Sequence, residues 1–431
     1  MIELRPAERR SVGLFFLYAF LVLVCYYFVK PLREPLLLVN GSAELKSYAS
    51  AVTGVALMAL VPVYGAVFRR ASKTQLVRRV TLFFAANLLC FYALGRAGVD
   101  VGFAYYVWVG VFGVTILAQF WAHAAHSFDV QSGQRLFPFV MAGATLGALA
   151  GPGLFGALFP VLGRWNMLLV AASILVATLP LVARTRDAVP AAQRNPAANG
   201  APEHRHPLGG FHLVLRDRYL LLLALLVVVL NCVNTTGEYI VTDLVVRHAD
   251  ALAAADPARD KGGIIAAFYG DYFLAVNALT VLLQCLVVGR VFRRIGVAGA
   301  LLVVPMVAAL GYGLIAFVPV FSLILAVKVL ENGVDYSLMN TARQAVFLPL
   351  PAAQQYEGKT AIDTFFWRLG DVVQAGLIYA GVTWLGLDVR GFALLNALLA
   401  VLWIALAARL ARCGSGRLER GPQASRRGLR R

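Results

Sequence analysis

Residues 11–29 read SVGLFFLYAFLVLVCYYFV, carry no charge, and run into Lys30-Pro31-Leu32-Arg33-Glu34-Pro35. A helix of this length extends about 28 Å at 1.5 Å per residue, which matches the hydrocarbon core of a bilayer. Arg5, Arg9 and Arg10 precede the run as the charged region of a signal peptide does, but no small-residue cleavage site follows it. The stretch reads as a retained first membrane span. Comparable apolar runs recur at 48–68, 80–97, 103–122, 136–162, 165–183, 219–241, 264–289, 297–317, 319–339, 360–382 and 392–411. The expected fold class is therefore an all-α polytopic membrane protein with twelve transmembrane helices. Composition agrees: 60% of the 431 residues are hydrophobic and 14% are charged, against about 25% charged in a soluble domain. A transmembrane β-barrel would show alternating segments of about ten residues, which the unbroken runs exclude. Cys25, Cys90, Cys232 and Cys285 lie in apolar runs and Cys413 lies in a basic tail, so no disulfide framework is implied.

With the amino terminus inside, the inner loops hold roughly three times as many Lys and Arg as the outer ones, which predicts that both termini are cytoplasmic. The expected location is a bacterial-type inner (plasma) membrane. The net charge of +17 needs no nucleic acid to explain it, because the arginine-rich carboxy-terminal tail lies beside the anionic inner leaflet of the lipid bilayer. Residues 184–218 are rich in Pro, Ala, Asn and basic residues and lack an apolar face, so they read as a flexible cytoplasmic linker. The organisation is an N-terminal six-helix half (1–183), the linker, a C-terminal six-helix half (219–411) and a basic cytoplasmic tail (412–431). Two short matches recur at nearly one offset, Val67-Phe68-Arg69-Arg70 with Val291-Phe292-Arg293-Arg294 and Leu146-Gly147 with Leu369-Gly370, as a duplication predicts.

Two six-helix halves with both termini and the long middle loop on one side is the organisation of the major facilitator superfamily, whose halves rock about a midplane site. Gly143, Gly147, Gly151, Gly153 and Gly156 in the fifth span offer small-residue surfaces, either for sliding contact or simply for close helix packing.

Ionisable groups at membrane depth are costly and mark function by default. In the tenth span Lys328, Glu331, Asn332 and Asp335 fall within about 100° of one helical face. In the eleventh, Asp363, Arg368, Asp371 and Gln374 share one side, and the two faces are expected to look at each other. Asn231, Asn234 and Glu238 add polarity to the seventh span, and Asp271, Asn277 and Gln284 to the eighth. The set reads as a polar cavity; the alternative is that Lys328 with Glu331, and Arg368 with Asp371, are local i, i+3 ion pairs that lock helices together. His123 and His126 close the fourth span without a further Cys or His partner, an incomplete metal site expected in the interfacial zone. Walker, His-Glu-x-x-His, CxxC and nucleophile-elbow motifs are absent, so no enzyme, no catalytic residue, no metal and no cofactor is expected.

The run Cys25-Tyr26-Tyr27-Phe28-Val29-Lys30-Pro31-Leu32-Arg33-Glu34 resembles the end of the first helix in the ATP/ADP translocases, NTP/NDP exchangers related to the major facilitators. Phe120-Trp121-Ala122 through Arg135-Leu136-Phe137-Pro138 resembles their fourth-to-fifth helix junction. The densest likeness runs from Asn340-Thr341-Ala342-Arg343-Gln344 through Phe347-Leu348-Pro349-Leu350 to Gly358-Lys359-Thr360-Ala361-Ile362-Asp363 and Arg368-Leu369-Gly370. By that resemblance Lys30, Arg33, Glu34, Glu238, Arg343, Lys359 and Arg368 are candidate substrate-binding residues, and the polar face of the tenth span adds Lys328 to them. Asp271, Glu331, Asn332, Asp335, Asp363 and Asp371 are candidates for coupling or for lining the polar cavity. Val109 stands where the exchangers carry a glutamate, and Asp371 where they carry a lysine.

The functional expectation is a secondary transporter working by alternating access, an ATP:ADP antiporter or a related organic-anion exchanger with a small-molecule substrate. The second-half core holds two basic residues, Lys328 and Arg368, against five acids, Asp271, Glu331, Asp335, Asp363 and Asp371, which would repel a polyphosphate. Two alternatives therefore stand beside it: a proton-coupled major facilitator transporter of another organic solute, using Asp271, Asp335 and Asp371, and a non-transporting membrane scaffold or sensor.

Overall fold

The computed structural model describes residues 8–70, 73–128, 130–188, 209–256, 258–348, 350–351 and 354–419. Among these residues every regular element is helical. The helices are α1 (Arg9–Leu38), α2 (Ala43–Arg70), α3 (Lys73–Arg96), α4 (Gly102–Ser127), α5 (Val130–Ala177), α6 (Leu179–Ala188), α7 (Gly209–Arg216), α8 (Arg218–Ala255), α9 (Lys261–Leu283), α10 (Gly289–Phe317), α11 (Phe321–Val334), α12 (Asn340–Ala345), α13 (Lys359–Ala361), α14 (Trp367–Thr383) and α15 (Val389–Glu419). Four π-helical turns join some of them, at Gln284–Val288, Asp335–Met339, Gln354–Gly358 and Ile362–Phe366.

Among the described residues, 7 helices are long and apolar enough to cross a membrane. Two are too long for one crossing. Arg135–Thr185 has 51 residues and Lys261–Phe317 has 57, each more than twice the roughly 20 residues a bilayer requires. Both are broken by a glycine in a conformation that L side chains avoid: Gly163 at φ 69° within α5 and Gly296 at φ 67° within α10. Those breaks fall in the gaps between neighbouring apolar runs of the sequence. The segments Phe321–Met339 and Lys359–Thr383 are helical too, but Lys328, Glu331, Asp335, Asp363, Arg368 and Asp371 interrupt their apolar character.

The chain forms two compact units. Unit 1 comprises Met1–Ser42, Ala59–Glu203 and Val245–Asn277; unit 2 comprises Ala43–Met58, His204–Leu244 and Ala278–Arg431. Unit 1 has an aromatic and aliphatic core in which Phe15, Phe28, Tyr105, Val109, Phe112, Phe120 and Phe155 are buried. α1 and α5 meet closely there because α5 presents glycines. A Cβ on Gly143 would lie 2.4 Å from the Phe16 carbonyl oxygen, one on Gly147 2.4 Å from that of Phe20, and one on Gly151 2.7 Å from Tyr27 Cβ. Those three glycines pack helices within one unit, whereas a Cβ on Gly153 or Gly156 would meet nothing within 4 Å. Gly370 of α14 approaches α8 in the same manner, its Cβ position lying 2.7 Å from Asn231 Cβ. The two Leu-Gly dipeptides thus place α5 against α1 and α14 against α8.

Most of the expected linker, 189–208, lies outside the described residues, as do residues 420–431 of the tail. The linker's carboxy-terminal end is structured, contrary to expectation: α7 has a buried Gly210 whose Cβ would stand 2.4 Å from the Glu357 carbonyl oxygen, and Phe211 packs on Phe365 at 4.7 Å between ring centroids. Asp217 then caps α8, accepting from the backbone N–H of Tyr219 (2.8 Å) and Leu220 (3.2 Å). The tail likewise begins as the helical continuation of α15.

Candidate functional site

Unit 2 contains a buried network of ions and amides organised around α8. The period of that helix puts Asn231, Asn234 and Glu238 at i, i+3 and i+7 on one face. Lys328 of α11 is 1% exposed. Its ammonium donates to the Asn234 carbonyl oxygen (2.8 Å), to Asn234 Oδ1 (2.9 Å) and to Glu331 Oε2 (3.2 Å). Three acceptors match the three N–H donors of a lysine, and Glu238 Oε1 stands 3.8 Å away as a further counter-charge. Tyr312 of α10 donates its hydroxyl to the same Glu331 oxygen. Asn332 Nδ2 donates to Glu238 Oε1 at 2.9 Å. Gly237 makes this crowding possible, because its missing side chain leaves room for the Tyr312 hydroxyl and the Lys328 ammonium against α8.

A second cluster lies on the other side of the same α8 face. Asn231 Nδ2 donates to Asp371 Oδ1 (2.8 Å) and to the Trp367 carbonyl oxygen (2.8 Å), while Arg368 Nη1 donates to Asp371 Oδ2 (3.3 Å). Gln374, one turn further along α14, donates to Ser47 Oγ at 3.3 Å. The polar faces of α11 and α14 therefore each engage α8. Both i, i+3 pairs exist, Lys328 with Glu331 and Arg368 with Asp371, and buried charges in the network lean on such partners.

Two members differ. Asp335, buried at the start of the π turn Asp335–Met339, accepts a 3.5 Å hydrogen bond from Asn234 Nδ2 and makes no ion pair within 4 Å among the described residues. Arg343 of α12 lays its guanidinium over the Trp367 ring, 4.3 Å from the centroid. It has no ion pair among the described residues, and its buried Nε lacks a hydrogen-bond partner there. π turns such as Asp335–Met339 recur at functional sites. Lys359 pairs instead with Asp363 at 2.8 Å across one helical turn.

The other candidates belong to unit 1. Lys30 sits 4.5 Å from the Phe273 ring centroid and 5.5 Å from that of Tyr27. Arg33 lies over Tyr106 at 4.4 Å and bonds the fully buried Glu34 at 3.0 Å, so aromatic faces hold both cations. Asp271 is exposed on α9 and belongs to unit 1, whereas the residues of the ion network belong to unit 2. Asn277 is a packing residue, donating to the Ala148 carbonyl oxygen at 2.7 Å. His123 is buried and shares a 2.9 Å hydrogen bond with Thr185 Oγ1; the side chain of His126 lies outside those the structure describes. Among the described residues no group of three or more His, Cys, Asp or Glu could hold a metal ion.

Sequence reasoning missed three participants. Lys46 and Glu44 precede the second apolar run and read as loop, yet both lie on α2 in unit 2, where Lys46 is 6% exposed. Tyr312 looked like one more aromatic in an apolar helix, and nothing in its neighbours signals a carboxylate partner.

No protein-family model matches the chain. It is 28% identical over 193 residues to ADP,ATP carrier protein 1 of Chlamydia muridarum, a match covering 39% of this chain and 34% of that protein. ADP,ATP carrier protein 1 of Chlamydia pneumoniae is 26% identical over 204 residues, covering 42% of this chain and 38% of that one. The chain thus matches little more than a third of the length of these curated relatives. Solved structures are similar over nearly the whole length. A POT family transporter in complex with 5-aminolevulinic acid superposes with a TM-score of 0.67 at 12% identity, covering 95% of this chain and 96% of that one. The nucleoside transporter NupG gives 0.64 at 12% identity, covering 94% and 98%. A bacterial homolog of the human lysosomal transporter Spinster gives 0.62 at 12%, covering 96% and 99%. At these identities the likeness is one of fold: the chain shares the helical architecture of those transporters, and among the described residues 7 helices are long and apolar enough to cross a membrane.

Proposed function

We propose that this protein is a secondary transporter of an organic anion, of nucleotide type, working by alternating access and exchange. Its twelve membrane helices form two halves, 1–183 and 219–411, with both termini in the cytoplasm. The observation that carries the anion reading is Arg343, a partly buried guanidinium stacked on Trp367, with no carboxylate within ion-pair distance and an Nε without a hydrogen-bond partner among the described residues. A planar fork of N–H donors beside an indole face suits a phosphate or carboxylate attached to a ring. Distant likeness to the chlamydial ADP,ATP carriers over part of the chain supports a nucleotide as that anion. Lys328, with its donors occupied, acts in this reading as the pin that orders the site. Lys30, Arg33 and Lys359 are held by aromatic faces or a carboxylate and would serve as secondary contacts.

The test is uptake of labelled ATP by proteoliposomes containing the purified protein, with and without internal ADP. Uptake that requires internal nucleotide and is lost in Arg343→Ala supports exchange; absence of uptake by folded protein removes the nucleotide. Asp335 favours one other reading, coupling to protons, since a buried carboxylate without an ion pair is suited to carrying a neutralising proton. Under that reading a pH gradient drives uptake without internal nucleotide, and Asp335→Asn abolishes the dependence.

A further inference from the structure

The first four turns of α2 are joined to α8 and α14 by polar contacts. Tyr239 donates its hydroxyl to Glu44 Oε1 at 3.4 Å, Lys46 Nζ donates to Thr242 Oγ1 at 3.0 Å, and Gln374 donates to Ser47 Oγ at 3.3 Å. Further along, a Cβ on Gly54 would stand 3.5 Å from Asp371 Oδ2 and 3.2 Å from the Arg368 carbonyl oxygen. Glu44, Ser47 and Gly54 lie at i, i+3 and i+10 of one helical face. This stretch, Ala43–Met58, belongs to unit 2, while the same helix from Ala59 onward belongs to unit 1. These contacts are hydrogen bonds, which water can replace when they part.

Lys46 is the charged member of the seam. Its ammonium is buried at 6% exposure and lies 3.9 Å from Glu238 Oε2. The other oxygen of that carboxylate serves Asn332 at 2.9 Å and faces Lys328 at 3.8 Å. Glu238 is therefore shared between a cation fixed in the buried network and a cation carried by α2.

We propose that Lys46 is a gate residue: docking of α2 seats its ammonium between Glu238 and Thr242, and release of α2 uncovers the polar faces of α8 and α14. The proposal rests on the transporter reading above. Docked, Glu238 has the Lys46 and Lys328 ammonium groups beside it; released, it loses that of Lys46, and the site loses one positive charge. An anionic cargo then binds more tightly with α2 docked, and differential affinity of that kind is what shifts a two-state equilibrium.

The experiment requires no cargo, so its outcome is independent of whether nucleotide exchange is found. Ser47→Cys is introduced into full-length protein in which the accessible Cys90, Cys285 and Cys413 are serine, leaving Cys25 and Cys232 buried. The rate of labelling by a sulfonated maleimide reports exposure of the α2 face, and protection of Cys25 and Cys232 reports that the fold is intact. Lys46→Met is expected to speed labelling of residue 47 tenfold or more, and Lys46→Arg to leave it within about threefold of the parent. An unchanged rate in Lys46→Met, or equal acceleration in Lys46→Arg, overturns the proposal. If Lys46→Met also exposes Cys25 or Cys232, the milder Thr242→Ala decides. Labelling of residue 47 at least threefold faster with the buried cysteines protected supports the gate, and an unchanged rate overturns it.

Discussion

Gly237→Ala is a one-methyl change with a large expected effect, because of what surrounds it. A Cβ at that position would lie 1.8 Å from the Tyr312 hydroxyl, 2.9 Å from its Cζ and 3.1 Å from the Lys328 ammonium. Tyr312 is 1% exposed and Lys328 likewise, so neither can retreat into solvent. Relief demands that the tyrosine move by more than an ångström, which breaks its hydrogen bond to Glu331. Overpacking costs about 1–3 kcal/mol, and a lost hydrogen bond to a charged group about 1.5–3 kcal/mol. Alanine recovers about 1 kcal/mol as the better helix former. The net destabilisation is roughly 2–5 kcal/mol, within the range that separates folded from unfolded protein. The assay is thermal unfolding of the purified variant in detergent, expected to show a midpoint several degrees lower and exchange reduced at least tenfold. Tyr312→Phe added to Gly237→Ala removes the overlapping oxygen and should recover part of the midpoint. A Gly237→Ala protein with parental unfolding and transport would refute the packing of Tyr312 and Lys328 against α8.

Lys328→Met leaves Glu331 buried without its ion-pair partner and should destabilise by about 3–5 kcal/mol, whereas Lys328→Met with Glu331→Met removes both charges and should be milder; unfolding midpoints of the three proteins check the order. Lys328→Arg should not restore the parent, because a planar fork does not fit three acceptors arranged around an ammonium. Arg343→Lys keeps the charge but loses the guanidinium stacked on Trp367, so the KM for the anion should rise about tenfold with less effect on kcat, measured in exchange assays. Asn231→Leu removes the donor to Asp371 and to the Trp367 carbonyl oxygen, and unfolding should shift by about 1–3 kcal/mol for the orphaned acceptors.

What could be read without coordinates was whatever short-range physics dictates. The apolar runs had to be helices, since only a helix or a closed barrel satisfies backbone groups in lipid, and each expected run lies on a helical segment. The pairs Lys328–Glu331 and Arg368–Asp371 were legible because a helix makes i and i+3 neighbours wherever it is placed. The shared face of Asn231, Asn234 and Glu238 was legible for the same reason. That Asp271 belongs to a different unit from those residues was not legible, since one helix can serve two units and its composition does not say where it divides.

The remaining site needed the tertiary structure because its partners are remote in the chain. Lys46 finds Thr242 and Glu238, Tyr312 finds Glu331, and Asp371 finds Asn231, and no periodicity relates such residues. The sequence alone determined that the chain is helical, lives in a bilayer and buries charges in its second half, since hydropathy and helical period act locally. Which charge neutralises which, and that Asp335 and Arg343 are left without an ion pair among the described residues, was decided by how the helices pack. A buried charge is stabilised or stranded by whatever group lies within a few ångströms, whatever its distance along the chain.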